Sequence, residues 1–386
     1  MHIIEINTRD RRQSKEFLDF PFRVYKRCPQ WVPMLEMDAK KLLDRDRFSY
    51  YRESDAAFFM AYYEEKEAQG RIAVLDNQRY NRYNQSNSAF FYLFEVLDNF
   101  DAAKALFNSA INWAQGRGLT EIIGPKGFTP LNGLGMLVRG FEHRPALGIP
   151  YNLEYYPDFI ERLGFQADRE VVSGYLGRLH ELPEKVALIA EKLQKRWGFE
   201  VKRFNSRFDL RKMLPFLKGL YNGSLVGTSG NAPLTDEEVK EMADQILWFA
   251  DPKLIKILYK DDQPVGFLMS YPDISAAIQK TKGRLWPFGW LSVLREFRRT
   301  DWININGAGI VAEYRGMGAP RCCLMKWRKA FGKGVTNTPT WYRSVLKMRR
   351  CSARSVRSLL TFTKPTASID VIFKGICHYG KFCENF

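Results

Sequence analysis

Arg315, Gly316, Met317 and Gly318 follow an apolar, β-prone run and precede a helix-competent segment that begins near Pro320. Glycines at such a corner let successive backbone N–H groups turn toward one point, and a helix N-terminus adds partial positive charge. Arg315 contributes a forked cation that matches two oxygens of one phosphate. With Ala319, these residues form an expected cradle for a phosphate or pyrophosphate. The run ahead of it has Trp302, Ile303, Ile305, Ile310 and Val311 as apolar members, and Asn304 and Asn306 share one face of the strand. Asp301 and Glu313 flank it. Carboxylates and amides at a strand end can take up a proton or hold a water. They serve equally well as turn and core polar groups.

The words AEYRGMGA after a strand resemble the coenzyme A loop of the GNAT superfamily of N-acyltransferases, which reads Arg/Gln-x-x-Gly-x-Gly/Ala. Arg315, Gly318 and the corner Ala312-Glu313-Tyr314 match. Pro320 takes the last small position, where proline fits a first helical turn but removes one amide from the cradle. The resemblance implies acetyl-CoA or another acyl-CoA as cosubstrate, with its pyrophosphate on Arg315 to Ala319 and its pantetheine arm along Gly309, Ile310 and Val311. It implies acyl transfer to a small-molecule or peptide amine. A backbone N–H of the strand would polarise the thioester carbonyl. Glu313 is a candidate catalytic base that also suits a structural corner, and Asn306 a candidate to position water or acceptor. Pro150 to Tyr156 (PYNLEYY) resembles a segment of the tandem members of the superfamily, which makes Tyr151, Asn152 and Tyr155 candidates for an acceptor pocket; packing between domains is the competing reading.

The chain has 386 residues, enough for two domains that each own a core, and its 45% hydrophobic content argues for a folded protein. The opening residues carry no long apolar run and no segment approaches the ~20 apolar residues that span a bilayer, so a cytoplasmic protein without a transmembrane segment is expected. The net charge of +16 is unevenly spread. From Arg321 onward there are 14 Lys+Arg against Asp370 and Glu384, which leaves 45 basic and 41 acidic residues before that point. A nucleic-acid partner is not expected from so local an excess. Five of six cysteines also lie in this tail, and His2, His143, His180 and His378 show no ligand or triad spacing, so no metal site is expected.

Positioning the loop requires an α/β frame, and the pattern supplies one twice. Ala56–Tyr63 and Arg71–Leu75 read as a hairpin, Ala89–Val96 as a strand covered on both faces, Asp101–Gln115 as a helix, Thr120–Ile123 as a strand and Tyr156–Leu163 as a helix. Leu182–Trp197 reads as a helix. A capping box from Thr235 to Glu238 then opens another, with a staple from Leu234 to Val239. Lys253–Leu258 and Val265–Ser270 form a second hairpin before the organising strand. The expected fold is α/β, two GNAT-like units with mixed central sheets, the second incomplete or disordered at its C-terminus. Its expected parts are a first unit (1–181) without the coenzyme A loop, a helical bridge (182–222), a second unit (223–319) with the loop, and an anomalous basic, Cys-rich tail (320–386).

The tail does not follow the element order that the resemblance implies. With each codon shifted and synonymous positions chosen freely, MKWRKAFGKGVTNTPTWYRSVLKM respells as EMEKSIRERGYQHADLVQVSVEN, a charged amphipathic helix, a glycine stop and a strand. TFTKPTASIDV respells as FYKTHRIYRR, like a closing strand. We therefore expect a change of reading frame near Ala319 or Pro320. Sequencing the coding DNA there should reveal the alternative open frame, and its absence would end the idea. A lost successor strand would strip one wall from the coenzyme A site and impair the chain.

A second reading starts from residues 280–299, where Lys280, Lys282, Arg284, Arg295, Arg298 and Arg299 interleave with Trp286, Phe288 and Trp290. Such alternation suits a binder of nucleic acid or of an anionic membrane surface. The plain alternative is a helix with Leu291, Leu294 and Phe297 packed inward and its arginines in water. A GNAT-fold scaffold without catalysis is the third reading.

Overall fold

The computed structural model describes residues 1–64, 67–130, 132–145, 148–177, 192, 196–226, 232–249, 251–315, 341–346 and 367–376. The first unit runs β1 (His2–Glu5), α1 (Arg11–Val24), α2 (Glu36–Leu43), β2 (Asp55–Tyr63), β3 (Glu67–Asp76), α3 (Gln78–Asn84), β4 (Ser88–Val96), α4 (Phe100–Gln115), β5 (Glu121–Gly124), β6 (Met136–Arg139), α5 (Tyr156–Arg162) and β7 (Gln166–Gly177). The second runs β8 (Glu200–Arg203), α6 (Arg207–Arg211), α7 (Leu214–Leu225), α8 (Asp236–Phe249), β9 (Lys256–Lys260), β10 (Gln263–Pro272), α9 (Ser275–Thr281), α10 (Gly289–Arg299), β11 (Trp302–Ile310), β12 (Trp341–Leu346) and β13 (Ala367–Ile376). Their sheets join edge to edge in the order β1-β2-β3-β4-β5-β13-β7-β12-β11-β10-β9-β8, with β6 beside β13.

The joint is made by exchange. β13, from the end of the chain, lies antiparallel between β5 and β7 of the first unit, while the far half of β7 pairs with β12 of the second. β12 is also the parallel partner of β11. The stretch whose respelled version reads as a strand thus coincides with β12, and the second respelled stretch runs into β13. Other tail residues, including Pro320–Gly332, lie outside the described residues.

Burial explains the apolar runs. β4 is covered on one face by α4, through Leu106, Phe107 and Ala110, and on the other by the layer of α1 and α2, through Phe17, Phe20 and Leu42. A strand sealed on both sides reads as continuous hydrophobic sequence rather than alternation. In the second unit α7 and α8 bring Leu220, Tyr221, Val239 and Met242 onto Ile257 and Phe267. The capping box forms as its spacing predicts: the Thr235 N–H donates to Glu238 Oε2 at 2.8 Å, and the Glu238 N–H donates to Thr235 Oγ1 at 3.2 Å.

Two expectations change. The bridge expected over 182–222 gives way at Glu200: β8 pairs with β9, and α7 packs on β10 and β11, so these residues belong to the second sheet. The helix expected over 182–197 falls almost wholly outside the described residues. In α10 the inward side is Val293, packed with Phe297, whereas Leu291 and Leu294 are exposed. Aliphatic type suggested the inside for both leucines; their angle around the helix, away from Val293, puts them in solvent.

Candidate functional site

β11 lies against β10 from Ile303 to Ile310, but against β12 only from Trp302 to Ile305. Among the described residues no strand pairs with that side of β11 beyond Ile305. This limit coincides with a bulge, because Leu268 faces Ala308 while Ser270 faces Ile305, leaving Met269 opposite both Asn306 and Gly307. Gly307 has φ +127°, a conformation that residues with a Cβ rarely adopt. After the bulge the Val311 N–H donates to Val265 O at 2.9 Å, which fixes the phase of the strand. By strand alternation the N–H groups of Ala308 and Ile310 then face the open side, away from β10. Gly309 is small for a separate reason: a Cβ there would come within 2.7 Å of both the Phe267 ring and the Ser224 side chain on α7.

A short 3₁₀ turn, Ala312–Tyr314, follows. Arg315 folds back over it, donating from Nε to Ile310 O at 3.2 Å and from Nη2 to Ser224 O at 3.0 Å. A cation on a carbonyl in the last turn of α7 also complements that helix's negative end. Arg315 therefore clamps the turn at the mouth of the opened edge. Gly316, Met317, Gly318 and Ala319 lie outside the described residues, so the amide cradle does too.

The other predicted residues scatter. Glu313 is exposed in the turn. The backbone of Asn306 forms part of the bulge; its side chain is outside what is described. Asn304 is buried and donates from Nδ2 to Asp273 Oδ1 at 3.2 Å, while its Oδ1 has no hydrogen-bond partner among the described residues. Asp273 also accepts from the Ser275 N–H at 3.0 Å and pairs with Arg144 of the first unit at 3.2 Å. This buried Arg144–Asp273–Asn304 link between the units went unread. Asp273 and Arg144 lie 129 positions apart, and only the Asp-x-Ser turn at Asp273 hints at it.

The first unit repeats the geometry and caps its far end. β4 pairs with parallel β5 only from Ser88 to Phe90, then bulges where Ile72 opposes Leu93 and Phe94, with Leu93 at φ +49°. At Val96 this edge is capped from within, while Tyr92, Leu93, Phe94 and Glu95 before it line a cavity. The Tyr156 hydroxyl accepts from the Val96 N–H at 2.7 Å and donates to Val96 O at 3.0 Å, and the Tyr155 hydroxyl donates to the same oxygen at 2.8 Å. Burial holds both phenols well above their ordinary pKa, so they remain neutral donors. Asn152, proposed for an acceptor pocket, is buried with its amide on Leu137 N, Leu137 O and Leu153 O. Tyr151 donates to Phe141 O at 2.9 Å, and burial pushes its hydroxyl up to about 12.

Tyr151 and Asn152 also line a cavity of about 1430 Å³ between the units, together with Leu18, Trp31, Met34 and Ile278. Tyr271 lines it from the second unit, directly across from Asn304. The described side chains of β11 and Arg315 do not, so the cavity and the opened edge are neighbouring features one strand apart. Among the described residues there is no metal-binding cluster of His, Cys, Asp and Glu, and no helix is long and apolar enough to cross a membrane.

No family model matches the chain. Two curated proteins are similar in sequence: Protein YghO of Escherichia coli (strain K12), 26% identical over 74% of this chain and 72% of that protein, and the bacterial ceramide synthase of Caulobacter vibrioides, 24% identical over 73% of each. Among solved structures, a tandem GNAT protein from the clavulanic acid biosynthesis pathway superposes over 98% of this chain and 99% of that one, with a TM-score of 0.51 at 9% identity. A GCN5-related N-acetyltransferase from Anabaena variabilis covers 98% of this chain and 73% of its own, with a TM-score of 0.50 at 9% identity.

Proposed function

We propose that this chain, which has the tandem GNAT fold, transfers an acyl group from an acyl-CoA to an amine through its second unit, the first serving as support. One observation carries the reading: the bulged edge of β11, unpaired past Ile305 among the described residues, presents two aligned N–H groups and ends at the Arg315 turn. Such an edge can pair with the amide-bearing arm of a pantetheine. An N–H already fixed by the strand would stabilise the oxyanion formed when the amine attacks the thioester carbonyl, without reorganising. Holding both reactants on one frame supplies further acceleration.

The acceptor is read as an amine with a long apolar part. Its support is the cavity between the units, where Leu18, Trp31, Met34 and Ile278 line the wall together with charged side chains such as Arg71 and Glu95, and the likeness to a protein named a bacterial ceramide synthase. Arg144, Asp273 and Asn304 stand between cavity and edge and hold that wall in place.

Arg315→Ala tests the donor half. Thermal-shift titration of the parent with acetyl-CoA and with a long-chain acyl-CoA should give saturable stabilisation by at least one of them. The variant should need about 10–100-fold more ligand, the range expected when a charge-assisted contact of roughly 1.5–3 kcal/mol is lost. Equal titration curves for parent and variant would remove Arg315 from the site; no stabilisation of the parent would remove the acyl-CoA reading.

A further inference from the structure

The segment between β10 and β11 is seated firmly on the first unit. Gln279 donates from Nε2 to Pro29 O and Trp31 O, both at 2.8 Å, and the Glu36 N–H donates to Gly283 O at 2.9 Å. Ile274, Ile278, Val293 and Phe297 pack with Val32 and Leu35 beneath it. Gly283 permits the close seat: at φ +76°, a Cβ there would lie 2.3 Å from Met34 O.

What this anchored base displays is unusual. Trp286 is 83% exposed and Phe288 72%, and Trp290, Leu291 and Leu294 continue the apolar surface along α10. Lone exposed apolar residues need no explanation, but five on one short segment do. Arg295, Arg298 and Arg299 are exposed around them, with Lys280, Lys282 and Arg284 on the approach and Glu296 the single acid between 280 and 299.

We infer that this surface docks on an anionic lipid bilayer. Tryptophan is favoured at the boundary between headgroups and chains, and an interfacial helix buries aliphatic residues while its basic residues reach the headgroups. Each Lys or Arg near an anionic leaflet adds attraction that salt weakens. The aliphatic members decide against nucleic acid: bases stack on Trp286 or Phe288, but Leu291 and Leu294 offer them nothing. Lys282, Arg284 and Leu285 of the same segment line the cavity between the units, so docking brings that cavity to the membrane surface.

The test is cosedimentation of the full chain with vesicles of phosphatidylglycerol and phosphatidylcholine in equal parts, against vesicles of phosphatidylcholine alone. Binding should need the anionic lipid and weaken as salt rises. Trp286→Ser with Phe288→Ser should reduce it about tenfold or more, on the scale of withholding two large apolar side chains from lipid. Arg295→Gln with Arg298→Gln should also weaken binding and flatten its salt dependence. All four side chains are exposed, and unchanged melting temperatures verify that both variants fold. No binding to anionic vesicles overturns the inference. So does equal binding by the Trp286/Phe288 variant, or binding of single-stranded RNA that vesicles do not displace. No acyl donor is present, so the result is independent of the transfer reaction.

Discussion

Gly307→Ala is expected to lower acyl transfer by a factor on the order of 10²–10³ while costing the fold only about 1–3 kcal/mol. The two numbers have different sources. The modest cost comes from forcing a residue with a Cβ to φ +127°, since the clash itself is with the far end of Met269, which can move. The large cost follows if the strand escapes that strain by flattening the bulge. Removing one extra residue slips the register beyond it, and a one-residue slip turns each backbone group to the opposite side. The Ala308 and Ile310 N–H groups would then face β10 rather than the open edge.

Gly309→Ala is the control. Its Cβ meets the Phe267 ring and the Ser224 side chain, an overpacking cost of about 1–3 kcal/mol, yet the bulge at Gly307 remains. Turnover with a saturating acyl-CoA, measured beside thermal melting, separates the two. If both variants lose activity only in proportion to stability, the bulge is scaffolding and the reacting edge lies elsewhere.

Local chemistry was legible and long-range chemistry was not. The Thr235–Glu238 box could be read because both partners sit in one turn, and the strand of Ala89–Val96 because sealing both faces imposes an apolar run. The corner at Ala312–Tyr314 and the clamp residue Arg315 came from a short motif. No periodicity announces that β13 crosses into the first unit, since pairing over hundreds of residues leaves no local mark. The bulges were equally silent, apart from the glycine at 307. The plain reading of 280–299 turns Leu291 and Leu294 inward by type, but burial depends on what another element covers, and among the described residues α10 packs through Val293 and Phe297. Tyr151, Asn152 and Tyr155 are candidates for an acceptor pocket by sequence; in the fold their polar groups bond backbone near β4 and β6, and Tyr151 and Asn152 also line the cavity between the units.

The largest stability effect is expected at Arg71, and it bears on why the first unit is read as support. Arg71 Nε donates to Glu95 Oε2 at 2.6 Å, Nη1 donates to Phe17 O at 2.6 Å, and the guanidinium lies over the Phe17 ring at 4.7 Å. The two side chains are only 6% and 14% exposed. Arg71→Met should cost roughly 3–5 kcal/mol, because it strands a buried carboxylate as well as breaking a pair. Adding Glu95→Leu should recover most of that loss, since replacing a buried pair with apolar side chains of similar volume is often close to neutral. Melting of the two single variants and the double gives the coupling between them. The double variant should also keep its acyl transfer. Glu95 sits just past the β4 bulge, the first-unit counterpart of the β11 edge; the ion pair ties it up, Tyr155 and Tyr156 cap the strand at Val96, and Glu95 and Arg71 line the cavity between the units. Loss of transfer in a double variant that melts normally would move the chemistry into the first unit, with Glu95 as its base.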